Sequence, residues 1–200
     1  DEYFNYHLGV NPISFFRAIK QNIEAGEIVS GASTLTMQTI RLSRKGKYRT
    51  YFEKSIELIL STRLECSKSK ASIMNLYASN APFGGNVVGL DAAAWRYYQR
   101  SPYQLSWGET ATLAVLPNAP SLIYPGKNHE LLLRKRNELL KKLMENGEID
   151  TLTCELAQLE PLPNRPHPLP SITPHLLNRL IKDGGKGKIC KVSINKSFQN

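Results

Sequence analysis

SGASTLTMQTIRLSRKGKYRTYFEKSIELILSTRLE, residues Ser30 to Glu65, joins two amphipathic patterns through a basic block. Small residues and hydroxyls lead. Thr34 to Leu42 then reads as a short helix with Ser33 as its N-cap, since a serine oxygen there accepts from an orphaned backbone N–H. Tyr51 to Glu65 reads as a longer helix, with Phe52, Ile56, Ile59, Leu60 and Leu64 on its apolar side. Between them Arg41, Arg44, Lys45, Lys47 and Arg49 fall within nine positions, and no acid occurs from Glu27 to Glu53. On the second helix Lys54 and Glu57 stand at i, i+3, and Glu53 and Glu57 at i, i+4, so these pairs share a face. One reading is a surface ion pair, worth well under about 1 kcal/mol. The other is a carboxylate held among cations beside an anionic leaving group. Spacing alone does not choose.

The pattern outside this stretch is also helical. Asn11-Pro12 opens PISFFRAIKQNIEAGE, with Ile13, Phe16, Ile19 and Ile23 at a 3-4 spacing and Gly26 at its end. Ser69 to Tyr77 forms another pattern. NAPFGGNVVGLDAA breaks the period at Pro82 and its glycines, and Asp91 can cap a short aromatic helix, AAAWRYY. LSWGETATLAVLP carries the capping-box pair Ser106 and Glu109. Asn128 to Asn146 is the clearest helix, with Gly147 as its C-cap. Six of the 12 prolines then lie between Pro161 and Pro174, an extended connector. A short helix in HLLNRLIKD, a flexible GGKGK and a strand-like ICKVSIN close the chain.

The bulk numbers bound the function without naming it. The chain has 200 residues, 41% hydrophobic and 22% charged, which suits one sizeable folded core. A net charge of +9 points to an anionic partner or to a merely soluble basic surface. The cysteines Cys66, Cys154 and Cys190 lack C-x-x-C spacing, and His7, His129, His167 and His175 contain no H-x-x-x-H pair, so no zinc pattern is present. Apolar runs are too short for a membrane span. The chain lacks an initiator Met and a signal pattern, and it reads as a fragment.

Several local motifs carry nothing further. Gly31-Ala32-Ser33 is not a nucleophile elbow, because Leu35 stands where a second Gly is needed. The S-x-x-K matches at Ser67–Lys70 and Ser193–Lys196 have no K-T-G beside them. FGGNVVG lacks the strand and the G-K-[ST] of a P-loop and reads as a tight turn. The basic block stays open between a solvated face, a nucleic-acid patch and a pyrophosphate site, with thin aromatic interleaving and no named nucleic-acid motif.

Order adds what spacing lacks. DEYFNYHLGVNP, SGASTLTMQ, RTYFEKSIELILSTRLE, LYASNAPFGGNVVGLDAAAWRYY and LSWGETATLAVLPNAPS follow one another. Together they resemble the consecutive motifs of the peptidoglycan glycosyltransferases, glycosyltransferase family 51, in the 1C-like form of the class A penicillin-binding proteins. The resemblance is strong over residues 1 to 145. Asp1, Phe4, His7 and Gly9 match the first motif from its second position, which puts the family's catalytic Glu immediately before Asp1. Gly31, Ala32, Ser33, Thr34 and Gln38 match the second motif, and Lys54 and Glu57 the third. Glu53 departs from the Arg that many members carry and adds a negative charge to a cationic site. Ser79, Ala78 and Asn75 depart in the fourth motif.

The resemblance implies a mainly α, lysozyme-like bilobal domain over residues 1–160, a Pro/Gly-rich linker with a short helix over 161–188, and over 189–200 the start of an extended segment leading to an absent transpeptidase domain. It implies polymerisation of lipid II into glycan strands, with inversion and release of undecaprenyl pyrophosphate. Glu57 would be the second essential carboxylate. Ser33, Thr34 and Gln38 would bond sugar or phosphate oxygens, and Arg41, Arg49 and Lys54 would bind the pyrophosphate. A divalent metal such as Mg2+ is allowed by the resemblance. The expected place is the periplasmic face of the inner membrane, held by an N-terminal segment absent from this chain. Lipid II, the growing glycan strand and cell-wall synthesis proteins are the implied partners, and nucleic acid is not. GVNPISFFRAIKQNI would dip into the outer face of the cytoplasmic membrane, with Arg17 and Lys20 on lipid phosphates, or else pack as an ordinary core helix. The alternative from another class is a degenerate, non-catalytic domain that binds glycan or partner proteins.

Overall fold

The computed structural model describes residues 3–26, 31, 33–44, 50–168 and 174–185. Asp1, Arg49, the cations Lys45 and Lys47, and the strand expected in ICKVSIN lie outside the described residues. The chain divides into two compact units, Asp1–Pro166 and His167–Asn200. Among the described residues the structure is helical, and β pairing is confined to the isolated bridges Pro82–Val88 and Tyr124–Lys127.

The first unit carries eight described α-helices: α1 Pro12–Ala25, α2 Leu35–Ser43, α3 Tyr51–Ser67, α4 Lys70–Asn80, α5 Leu90–Tyr98, α6 Trp107–Val115, α7 His129–Glu145 and α8 Thr151–Leu159. The second unit holds α9, Pro174–Leu180, followed by a π-turn at Ile181–Gly185. The helix starts are chemically plain. Asn11, Thr50, Ser69, Ser106 and Asp150 each accept a first-turn N–H on a side-chain oxygen, which satisfies a donor the helix cannot.

Three of the expected caps move. The C-cap of α7 is Asn146, and Gly147 follows it at φ +76. Thr34, not Ser33, caps α2 and accepts from Met37 N at 3.2 Å. Gly89 precedes α5 without a side-chain cap, and Asp91 sits inside its first turn. The helix α8 was not legible as such in the sequence.

Packing makes two cores. The larger gathers Phe83, Val87, Tyr97, Leu113, Leu116, Ile123 and Leu132, and Leu162 from the Pro-rich stretch reaches it. The smaller joins Ala111, Leu140, Ile149, Cys154 and Ala157, where α6, α7 and α8 meet. Arg136, 1% exposed, lies beside them and donates to Gln158 O at 2.7 Å and Glu160 O at 2.6 Å. It thereby occupies carbonyls at the end of α8 that have no intrahelical donor.

The Gly-rich turn before α5 is held by the Tyr97 hydroxyl, which lies 3.0 Å from both Phe83 O and Gly84 O. Burial pushes that phenol up to about 12, so it stays a donor. Gly84 has φ +83, and a Cβ there would lie 2.5 Å from Tyr124 Cβ. The turn therefore needs glycine for its backbone and for the aromatic ring packed on it.

Helix α1 does not behave as a core helix. Ile13, Phe16 and Ile23 are 64%, 70% and 75% exposed, and the helix turns Ala18 inward instead. The ordinary-core reading of this segment is therefore corrected: Ile13, Phe16 and Ile23 face outward. Tyr6 and Leu8 just before it are exposed as well.

Candidate functional site

Helix α2 packs on α3 and α4, and this contact assembles the site. Arg41, in the last turn of α2, meets Glu57, in the second turn of α3. Its Nε donates to Oε1 at 2.7 Å and its Nη2 to Oε2 at 2.8 Å, a planar two-point pair. Lys54 Nζ lies 3.3 Å from Glu57 Oε2 and donates to Ser33 Oγ at 2.8 Å. Arg41 Nη2 also reaches Ser33 Oγ, at 3.4 Å. Ser33 is thus drawn into the cation cluster because Thr34 has taken the capping role.

The cluster is layered. The Glu57 side chain is 10% exposed, while Arg41 and Lys54 are 34% and 42% exposed. The carboxylate lies beneath and the cations above. Burial by itself pushes the Glu57 carboxyl up. The hydrogen bond and charge of Arg41, with the charge of Lys54, outweigh it and hold the group below the usual carboxylate range. Arg41 is raised in turn, by its bond to Glu57. Two cations against one carboxylate leave an excess positive charge facing solvent.

Glu53 stands apart from this cluster. It accepts from Arg44 Nε at 3.0 Å and from Arg44 Nη2 at 2.8 and 3.1 Å. Arg44 is the C-cap of α2. The acid that was expected to weaken the cationic site is matched by its own arginine.

The other expected residues divide. Gln38 accepts from the Tyr77 hydroxyl at 3.4 Å. Thr34 is buried, its hydroxyl donates to Gly9 O at 2.6 Å, and the residue also borders the open pocket beside Ser33. Phe4, His7 and Gly9 all bury themselves against α3 and α4. Gly9 has φ +84, and a Cβ there would lie 2.7 Å from the Ser61 carbonyl carbon. His7 Nδ1 accepts from Gly9 N at 3.1 Å, and burial, then the Lys70 charge, keep its imidazole below its ordinary value.

Sequence reasoning missed two members of this region. Lys70 Nζ donates to His7 O at 2.6 Å and to Glu65 Oε1 at 2.8 Å, and it sits 4.6 Å from the Phe4 ring centre. Glu65 Oε1 also accepts from Thr36 at 2.6 Å. The pair spans the break between α3 and α4 at Lys68 and Ser69, so no single-helix spacing reveals it. Ser67 bonds Leu64 O instead, and the S-x-x-K match there is coincidental.

Beside Ser33 an open polar pocket is lined by Ser14, Arg17, Gly31, Thr34, Gln38 and Lys142. Arg17, expected on lipid phosphates, borders this pocket. Among the described residues the donors at this cluster do not fit a divalent metal. Both Glu57 oxygens are engaged by cations, and no group of three His, Cys, Asp or Glu converges among the described residues.

A mainly α domain with a buried carboxylate under two cations, next to a polar pocket, presents positive charge and hydrogen-bonding groups to an anionic ligand. A family model described as "Transglycosylase" matches residues 1–144. The chain belongs to this transglycosylase family, as a peptidoglycan glycosyltransferase domain of the class A penicillin-binding-protein kind.

It is 38% identical over 193 residues to penicillin-binding protein 1C of Escherichia coli, covering 96% of this chain and 24% of that protein. It is 36% identical over 162 residues to penicillin-binding protein 1A of Aquifex aeolicus, covering 81% and 22%. A protein of Cupriavidus necator described as a transglycosylase is 35% identical over 162 residues, covering 81% of this chain and 70% of that one. The chain thus spans about a quarter of the length of the penicillin-binding proteins it matches.

Proposed function

We propose that this domain polymerises lipid II, transferring the growing glycan from its undecaprenyl pyrophosphate to the 4-hydroxyl of the next lipid-linked disaccharide with inversion. The observation that carries the reading is the Arg41–Glu57–Lys54–Ser33 cluster, a fixed excess of positive charge in a half-open site. Negative charge develops on the departing pyrophosphate, and pre-oriented cations stabilise it with little reorganisation. Glu57 holds Arg41 and Lys54 at that position. Ser33 and Gln38 face the neighbouring pocket, where sugar hydroxyls have polar partners. Arg49 would add a further cation, and a carboxylate immediately before Asp1 would take the proton from the attacking hydroxyl. The side-chain cations would supply the charge a metal would bring.

The exposed Ile13, Phe16 and Ile23 support membrane docking of α1, with the apolar face in the outer leaflet of the cytoplasmic membrane. No described helix is long and apolar enough to cross a membrane. The domain would act on the periplasmic side as the glycosyltransferase part of a longer protein.

The test is polymerisation of lipid II by the protein carrying its residues before Asp1. Glu57→Gln should retain the fold and abolish polymer. A polymer yield equal to the parent's would overturn the assignment. Retained glycan binding with no turnover by the parent would support the non-catalytic alternative.

A further inference from the structure

Lys70 is 26% and Glu65 3% exposed, and the pair lies outside the cation cluster. Burying two such charges is costly unless geometry and further bonds compensate. Here every further bond leads toward the site. From Lys70 the path runs to His7 O, then from His7 Nδ1 to Gly9 N, and from Gly9 O to the Thr34 hydroxyl. Thr34 caps α2 and is the neighbour of Ser33. From Glu65 the path runs to the Thr36 hydroxyl, two residues further along in the same first turn. The N-terminal turn of α2 is therefore tied twice to this one ion pair. Arg41 follows on that helix, and Ser33 immediately precedes its cap.

We infer that the Lys70–Glu65 pair is a positioning element for the Arg41–Glu57–Lys54 cluster, acting through Thr34 and Thr36 on the placement of α2. Glu57 sits on α3, so the two-point Arg41–Glu57 geometry requires α2 to hold its position along α3. A purely apolar contact between these helices would tolerate sliding. Two hydroxyls bonded to a buried ion pair and to the Gly9 carbonyl do not. The segment containing Phe4, His7 and Gly9 is fixed by the same pair, so both borders of the site share one support. This inference rests on the glycosyltransferase reading only for its effect on turnover.

The experiment uses Thr36→Val, Lys70→Met, Lys70→Arg and the double variant Lys70→Met with Glu65→Gln. Two readouts are followed: steady-state polymerisation of lipid II, and the 15N-resolved Nε–H resonance of Arg41 without substrate. The double variant removes both buried charges together, so it is the folded comparison if Lys70→Met alone unfolds. The expected result is a fall in kcat of about a hundredfold in the double variant, the scale of a misplacement near 1 Å, with KM within about threefold. Thr36→Val should move the Arg41 signal in the same direction, by less. Lys70→Arg, which keeps the cation and a donor, should recover most of kcat.

A folded double variant and Thr36→Val with parental kcat and an unmoved Arg41 signal would overturn the inference and leave the pair a stabilising contact only. A parent inactive on lipid II whose Arg41 signal still moves in the variants would instead overturn the proposed function and sustain the positioning role.

Discussion

Arg44 closes on Glu53 through three hydrogen bonds, one helical turn before Glu57 receives Arg41. Two carboxylates on one face of α3 thus meet two arginines on α2, each in its own pair. The consequence is electrostatic. Glu53 is neutralised locally, and the excess charge of the Arg41–Lys54–Glu57 cluster is preserved.

Glu53→Gln should therefore change little at the site. Lipid II turnover is expected to stay within about threefold of the parent, since a partly exposed pair contributes roughly 0–1 kcal/mol. Steady-state polymerisation checks this. A loss comparable to that of Glu57→Gln would show that Glu53 belongs to the working cluster.

Lys54→Met removes one of the two cations above Glu57 and leaves the Arg41 pair in place. The expected effect is a drop in kcat of about a hundredfold, in the range for removing one charge-stabilising donor. Binding of a pyrophosphate-bearing ligand should weaken more than binding of a neutral glycan fragment, measured by calorimetry on the same preparation. Equal losses on both ligands would place Lys54 outside the leaving-group site.

Acid should act through Glu57. Its folded-state value lies below the ordinary 4.5, so it binds its proton more weakly folded than unfolded. Its stabilising contribution is then present above about pH 4.5 and lost as pH falls through the lowered folded value. Urea unfolding between pH 7 and 3 is expected to show a plateau and then a decline. In Glu57→Gln that decline should be shallower. An identical acid limb in both proteins would contradict the paired geometry.

Gly9→Ala tests the fold beneath the site. Its Cβ would meet Ser61 backbone, which cannot swing aside, and φ is +84. A destabilisation of about 2 kcal/mol or more is expected, read from the urea midpoint. A variant within a few tenths of a kcal/mol (the ordinary scale for a surface change) would mean that the first-motif segment is not packed on α3.

Ser substituted at Ile13 and Phe16 should leave the thermal midpoint nearly unchanged, because both side chains are already exposed. Partition onto vesicles of anionic phospholipid should fall by about tenfold, from the apolar area no longer buried in the interface. Thermal unfolding gives the first value and vesicle flotation the second. A lowered midpoint with unchanged partition would return α1 to a packing role inside the protein.

Periodicity and end signals made most of the helices legible. Asn11, Ser106 with Glu109, and Gly147 act through bonds that close within four residues, so adjacent sequence contains them. The pairing of Lys54 with Glu57 was visible for the same reason, since both lie on one helix. The order of the five motifs carried the family membership. It could not say which side chains touch.

Those contacts depend on how α2 lies against α3 and α4. Choosing between Ser33 and Thr34 as the cap turned on the Gly9 carbonyl, 25 residues earlier, which claims the Thr34 hydroxyl. Pairing Glu53 with Arg44 turned on a contact nine residues apart across two helices. The role of Lys70 turned on His7, 63 residues away. Local periodicity reports which face is apolar, and that can mean a core or, as on α1, an outward surface. Only the packed chain decides whether an apolar stripe is covered and which charge each buried carboxylate meets, because both follow from distances that sequence separation does not contain.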